Sequence, residues 1–178
     1  MYTIEVKGID ECLETLEDLK KMFKNYEFME YIAQKSKETL DRITAQNITF
    51  NNKDTGGYAN NHEIEVYQEE IILFNNTKAD LSHLSEKTRA NYPDGFSIAK
   101  AVEYGTGIVG RDSIGSSQAT DWAYDVNNHG EKGWFYEKNG KIYWTKGMEG
   151  KLIYYKTKQE IEKNIATWIG EYIDKNID

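Results

Sequence analysis

The sequence predicts an α+β fold: an antiparallel sheet of hairpins packed against two N-terminal helices and one C-terminal helix, with a long Gly-rich loop. Three observations carry the prediction. Apolar residues recur at spacings of three and four near both ends of the 178-residue chain, the period of a helix with one buried face. Two pairs of short β-branched and aromatic runs are joined by turn-forming residues, as in antiparallel hairpins. Between those pairs, glycines stand at 105, 107, 110, 115, 130 and 133 among Ser, Asp and Asn. Strands that come in adjacent pairs, rather than alternating with helices, favour α+β over α/β.

The elements follow in order. Tyr2–Lys7 alternates and reads as a short strand ending at Gly8. Asp10 is then a candidate N-cap, and Ile9, Cys12, Leu13, Leu16, Leu19 and Phe23 form one helical stripe. A second helix fits 27–46 on Phe28, Met29, Ile32, Ala33, Leu40 and Ile43, with Asn25 breaking or capping between the two. The run from Asn51 to Asn61 is turn chemistry around Gly56 and Gly57. His62–Gln68 and Glu70–Asn75 read as a hairpin. Thr77–Gly95, with Leu81, Leu84 and the chain's one proline at Pro93, reads as a loop with one helical turn. A short helix over 96–103 runs into Tyr104-Gly105. The 105–133 stretch is expected to be a structureless loop, which in a compact domain is usually functional or disordered. Trp134–Glu137 and Lys141–Thr145 flank Asn139-Gly140, a strong hairpin signal. A last helix fits 157–173 on Ile161, Ile165, Trp168, Ile169 and Tyr172, with Thr157 and Glu160 as a capping box. No repeat, low-complexity tract or linker interrupts this order, so one domain over 1–178 is expected.

Composition narrows the function. The net charge is −8, against a groove that grips nucleic acid, which needs clustered Lys and Arg. Mean hydropathy is −0.75 and 29% of residues are charged, so the surface is well solvated; yet 13% are aromatic, including 13 Tyr and 4 Trp, and rings of that area belong in a core or an interface. The single cysteine, Cys12, rules out an internal disulfide and reads as a small core residue. No apolar run approaches the ~18 residues of a membrane span, and MYTIEVKGIDE lacks the pattern of a signal peptide. Synthesis and assembly in the cytoplasm are expected, with no membrane partner.

The residue patterns offer no catalytic, cofactor or metal site. Zinc needs Cys and His at short spacings, whereas His62, His83 and His129 are scattered. Gly105-Thr-Gly-Ile-Val-Gly110 spells G-x-G-x-x-G, but that fingerprint needs a strand before it and a helix after it; here a helix precedes and Arg111-Asp-Ser-Ile-Gly is not amphipathic. A hydrolase built on Glu103, Asp121 and His129 would rest two of its three groups on a loop, a poor support for catalysis. Glu63, Glu65, Glu69 and Glu70 line one hairpin and read as solvation and edge protection. Trp134, Tyr136, Tyr143 and Trp144 suggest cross-strand packing or a subunit contact, since Tyr and Trp are enriched in interfaces.

One combination is more specific. Asp54-Thr55-Gly56-Gly57 follows two helices and precedes a strand pair; then come Val102-Glu103-Tyr104-Gly105-Thr106-Gly107, Ile108-Val109-Gly110, Gly133-Trp134-Phe135-Tyr136 and Trp144-Thr145-Lys146-Gly147. In that order, across about 8–147, the chain resembles the small neck or tail-completion proteins at the head–tail junction of tailed bacteriophages. It departs from that pattern in having Asn52-Lys53 before the D-T-G turn, Tyr58 after it, an apparent insertion at 77–95, and Lys151-Leu-Ile-Tyr-Tyr where the last helix opens.

The resemblance implies a non-enzymatic virion subunit, without cofactor, that joins the capsid connector to the tail and lets DNA pass. Its partners would be copies of itself in a ring (a hexamer favoured, a dodecamer the alternative), head-completion or connector proteins, the tail-tube protein, and genome DNA passing without sequence-specific contact. The subunit-contact and loop residues it implies are Asp54, Thr55, Gly56, Glu103, Tyr104, Gly105, Thr106, Gly107, Trp122, Trp134, Tyr136 and Trp144. Gly105 and Gly107 would let the chain turn after Glu103, Glu103 would accept hydrogen bonds that fix the turn or stand exposed at a helix end, and 108–132 would gain order against a neighbour. Gly105→Val is then expected to block assembly more than folding. The competing reading is a non-virion acidic adaptor that docks a basic partner through its aromatic hairpin.

Overall fold

The computed structural model describes residues 9–48, 57–79, 81–83, 85–119, 121–138 and 140–176. The Tyr2–Lys7 strand, the Asp54-Thr55-Gly56 turn, Leu84, Asn139 and the side chains of Ile9, Cys12 and Leu13 lie outside the described set.

Two long helices form the frame. Helix α1 (Ile9–Phe23) leads into α2 (Tyr26–Asn47), and Asn25 caps α2 by accepting the Glu27 N–H at 3.1 Å. Because α1 already includes Ile9, Asp10 sits inside it rather than at its cap. The C-terminal helix α6 (Ile153–Asn176) runs antiparallel to α2. The cross-links fix that direction: the Tyr31 hydroxyl and Lys35 Nζ both reach Glu171, Arg42 pairs with Glu160 at 3.0 Å, and Lys156 reaches Asn47. Among the described residues two apolar clusters lie between the helices. Phe28, Ile32 and Tyr172 pack at one end; Leu40, Ile43, Tyr58, Val102 and Ile153 pack at the other. A fully buried Leu or Ile contributes roughly 1.5–3 kcal/mol relative to exposure, so Leu40 and Ile153, both at 0% exposure, are major holds on the frame.

Among the described residues the strands are short and fall into three separate two-stranded antiparallel ladders. The first, β1 (Glu63–Val66) with β2 (Ile71–Phe74), is the expected first hairpin, paired Glu63 to Phe74 through Val66 to Ile71. It packs on α2. His62, just before β1, is buried and ties three elements together. Its Nε2 meets Thr44 Oγ1 at 3.0 Å and its Nδ1 meets the Tyr154 hydroxyl at 3.0 Å. Burial lowers the His62 pKa, keeping the ring neutral so that it can both donate and accept.

The segment after β2 holds more than one helical turn: a 3-10 turn at Leu81–His83 and the helix α3 (Glu86–Asn91), capped by Ser85. Ser97 then caps α4 (Ile98–Tyr104), which ends where expected, at Gly105. The second ladder pairs β3 (Gly105–Thr106) with β6 (Gly147–Glu149), and the third is the aromatic hairpin of β4 (Trp134–Lys138) and β5 (Lys141–Thr145).

Two expectations need correction. The first concerns the start of the last helix. It begins at Ile153, not Thr157, and Thr157 is buried in its interior with Oγ1 donating to the Ile153 carbonyl. Glu160 faces Arg42 instead of forming a capping box. The second concerns the glycine-rich stretch. It carries the helix α5 (Gly107–Arg111) and 3-10 turns at Ile114–Gln118 and Gly130–Lys132, and several of its polar groups are bonded within the chain. Asp125 accepts the N–H groups of His129 and Gly130, and Lys87 and Asn91 hold Asn127. A polar loop orders itself when side chains supply the partners that its backbone lacks.

One position in the frame is sub-optimal. Gly170 lies in α6, and a Cβ built on it meets nothing within 4 Å. Glycine inside a helix costs about 1 kcal/mol relative to alanine. Gly170→Ala is therefore expected to raise stability by about 1 kcal/mol and the melting temperature by ~2–4 °C, read by thermal denaturation followed by circular dichroism.

Candidate assembly surface

The site is built outward from Glu103. This side chain is 7% exposed at the end of α4, and its two oxygens accept the N–H groups of Tyr154 and Tyr155 at 3.0 and 3.1 Å. Those are donors of the first turn of α6, which lack an acceptor within the helix. A carboxylate there satisfies the donors and the positive end of the helix. Burial nevertheless pushes the Glu103 carboxyl above its ordinary range, against the opposing pull of those N–H groups and of Lys156. The backbone reinforces the link: Lys151 and Leu152 donate to the carbonyls of Val102 and Glu103 at 2.7 and 3.1 Å. Of the two roles open to Glu103 in the sequence, it takes the hydrogen-bonded one.

Beyond Glu103 the chain crosses itself at close range. Gly105 opposes Glu149, Thr106 opposes Met148, and Gly107 bridges Gly147. A side chain at Gly105, whose φ is 88°, would lie 2.6 Å from Gly150 N and 2.8 Å from Gly110 Cα and would strike the Met148 carbonyl. Gly105→Val should therefore harm folding as much as assembly, which revises the expectation drawn from the sequence. The indole of Trp122 donates to the Gly105 carbonyl at 2.8 Å and packs on Phe96, and Gly107 N–H donates to the Tyr124 carbonyl at 2.6 Å. Tyr104 and Thr106 are half-buried in this crossing. Leu152, at φ 53°, lies against Gly115.

The aromatic hairpin springs from that base. Trp134 stacks on His129, 4.5 Å between centroids, and its ring edge reaches Gly107. His129 is in turn bonded to Asp125 at 3.0 Å. Tyr136 stacks on its cross-strand partner Tyr143. Trp144 donates its indole N–H to the Lys132 carbonyl and lies under Lys146 Nζ, yet remains half-exposed. Phe135 and Ile142 stand out at 72% and 75% exposure. Exposed apolar groups in one contiguous patch mark interaction sites.

Of the twelve residues singled out in the sequence, Glu103, Tyr104, Gly105, Thr106, Gly107, Trp122 and Trp134 meet at the crossing, while Tyr136 and Trp144 lie on the hairpin above it. Asp54, Thr55 and Gly56 fall outside the described residues. Sequence reasoning missed Phe135 and Ile142 as the most exposed members of the patch, although strict alternation about Tyr136 and Tyr143 places them on the opposite face. It also missed His62 as a structural hub.

The G-x-G-x-x-G spelling is occupied by β3 and α5, the latter only five residues long. Glu103 is committed to α6 and His129 to Asp125. Among the described residues, no group of His, Cys, Asp and Glu could hold a metal ion, and no helix is long and apolar enough to cross a membrane. No family model, curated protein or solved structure matches the chain.

Proposed function

We propose that the chain is a non-enzymatic structural subunit of a phage head–tail junction, part of a neck or tail-completion ring that joins the capsid connector to the tail and lets DNA pass. The observation that carries this reading is the exposed aromatic hairpin on a rigid base. Phe135, Ile142 and Trp144 are held out to solvent while Trp134, Gly107, Gly147 and Glu103 lock the foot of the hairpin to α6. A subunit whose work is to be gripped needs such a mount, because apolar surface left in water is costly unless a partner covers it. The ordered motifs from Asp54 to Gly147 supply the resemblance that names the setting. In that setting the net charge of −8 would let a phosphate backbone pass without adhering. The partners are copies of the chain, with connector or head-completion proteins on one side and tail-tube protein on the other.

The test is location. In particles of the phage or prophage that encodes the chain, mass spectrometry and immunogold imaging should find it at the neck. Deleting its gene should leave filled heads and separate tails. Normal joined particles without the protein would overturn the reading. Stoichiometric capture of a basic host protein with no particle association would assign the hairpin to an adaptor instead.

A further inference from the structure

We infer that His129 is a proton-operated latch at the foot of the β4–β5 hairpin: protonated, its ring grips Trp134 and Asp125 more firmly than when neutral, so acidification steadies the direction in which the hairpin points. The use of such a latch in assembly rests on the reading above; its existence does not.

Short-range bonds place the three residues. Asp125 Oδ1 accepts the His129 backbone N–H at 2.9 Å and meets the ring Nδ1 at 3.0 Å, and Oδ2 accepts the Gly130 N–H at 2.6 Å. The His129 ring lies on the Trp134 indole, 4.5 Å between centroids and 25° from parallel. Trp134 opens β4, and the edge of its indole reaches Gly107. The indole therefore touches both the imidazole and the glycine crossing, and the hairpin leaves the body from that point.

Charge then sets the sense of the switch. A carboxylate only accepts, so in the neutral ring Nδ1 carries the hydrogen and the next proton goes to Nε2. The imidazolium lies over an indole, the aromatic face that attracts cations best. Its bond to Asp125 becomes charge-assisted from both sides. Both contacts strengthen on protonation, and imidazole gains its charge between about pH 8 and 5. Burial pushes the Asp125 carboxyl up, but the N–H groups of Gly130 and His129 and the His129 ring outweigh it and hold the carboxyl below its ordinary range. Asp125 is therefore an anion throughout that window. The neighbouring charges leave this pair intact. Glu131 and Lys132, on the following 3-10 turn, are exposed. Arg111 of α5 pairs with Asp112 at 2.8 Å, and Lys87 of α3 is bonded to the Asn127 carbonyl. The His129 and Asp125 side chains are 28% and 23% exposed, open to exchange of protons with water yet screened less than a surface pair.

Hydrogen-exchange mass spectrometry of the whole chain near pH 7.5 and near pH 5.5, corrected for the intrinsic pH dependence of exchange, reads the latch. Peptides spanning 134–145 should gain roughly 5–10-fold in protection on acidification, the scale of one cation–π contact and one charge-assisted bond at a partly exposed site. Peptides of α2 should show no such gain. His129→Gln keeps a side-chain donor for Asp125 but does not titrate, and its hairpin protection should stay level between the two conditions. The wild-type profile decides by itself even where His129→Gln folds poorly: a hairpin that gains no protection overturns the inference. So does an equal gain in the glutamine variant, an equal gain in α2, or a gain that grows with protein concentration and therefore comes from assembly. Each of these leaves the connector role standing. Conversely, the expected profile in a protein absent from purified particles keeps the latch and removes the connector role.

Discussion

Gly147→Ala is expected to remove about 4 kcal/mol of stability and to lower the melting temperature by ~8–16 °C. Gly147 sits at φ 109° where β6 crosses the turn between Thr106 and Gly107. A Cβ there would be driven into the Thr106 carbonyl and would lie 2.9 Å from Gly107 Cα. Both neighbours are backbone, so no flexible side chain can give way. Two costs add. A non-glycine residue held in a sparsely populated backbone region costs roughly 1–3 kcal/mol, and inserting a methyl into filled space costs a further ~1–3 kcal/mol. The whole stability of a domain is only ~5–15 kcal/mol, so the change takes a large share. Gly130→Ala is the control. Its φ of 59° is also left-handed, but nothing lies within 4 Å of its would-be Cβ. It should lose only ~1–2 kcal/mol, the left-handed cost alone. Urea denaturation of the two variants separates backbone strain from crowding; equal losses would show that the crossing is looser than its geometry implies.

What could be read from the sequence follows from where the partners lie. Stripes such as Phe28, Ile32, Leu40 and Ile43 reveal α2 because a helix buries neighbours three and four apart, and alternation reveals both hairpins for the analogous reason. The Asn25 cap of α2 is local, and it was legible. The start of α6 was not, because its cap comes from Glu103, some 50 residues earlier, and no local pattern encodes a donor satisfied at that separation. The same holds for the glycine crossing. The spelling at Gly105–Gly110 announces a tight turn, but only the fold brings Gly147 and Gly150 against it. Trp122 and Asp125 order a stretch whose composition alone reads as loose. His62 was illegible for a similar reason: its partners Thr44 and Tyr154 come from two different helices. Within the hairpin, alternation separates two faces, yet which one faces water depends on Trp134 finding His129.

Glu103→Ala is expected to destabilise the fold by about 3 kcal/mol, because two N–H groups of α6 lose their acceptor in a buried setting. Each unsatisfied donor costs ~1–3 kcal/mol, partly offset by removing a buried carboxyl. Glu103→Gln should lose less, about 1–2 kcal/mol: the amide keeps one accepting oxygen but turns its NH2 toward the second donor. Glu103→Asp should fall near the alanine variant, since the side chain is one methylene too short to span α4 and α6. The pH dependence separates the charge from the hydrogen bonds. Burial raises the Glu103 pKa above the ordinary 4.5, so the folded chain holds this proton more tightly than the unfolded chain. The stability the group contributes is then fully present below 4.5 and is lost as pH rises through the folded value. His62 acts in the opposite sense. Its pKa is lowered from 6.5, so its contribution is full above 6.5 and is lost as pH falls through its folded value. Total stability mixes the two, but wild type minus Glu103→Gln isolates the carboxyl. That difference should widen on acidification toward pH 4.5. If it narrows instead, the N–H bonds from Tyr154 and Tyr155 outweigh the cost of burial, and Glu103 holds the crossing to α6 mainly as an anion at a helix terminus. In either case the hairpin should keep its own register, since its ladder from Trp134 to Lys141 contains no bond to Glu103. What it would lose is its fixed direction relative to α2 and α6, the property that presenting an assembly surface requires.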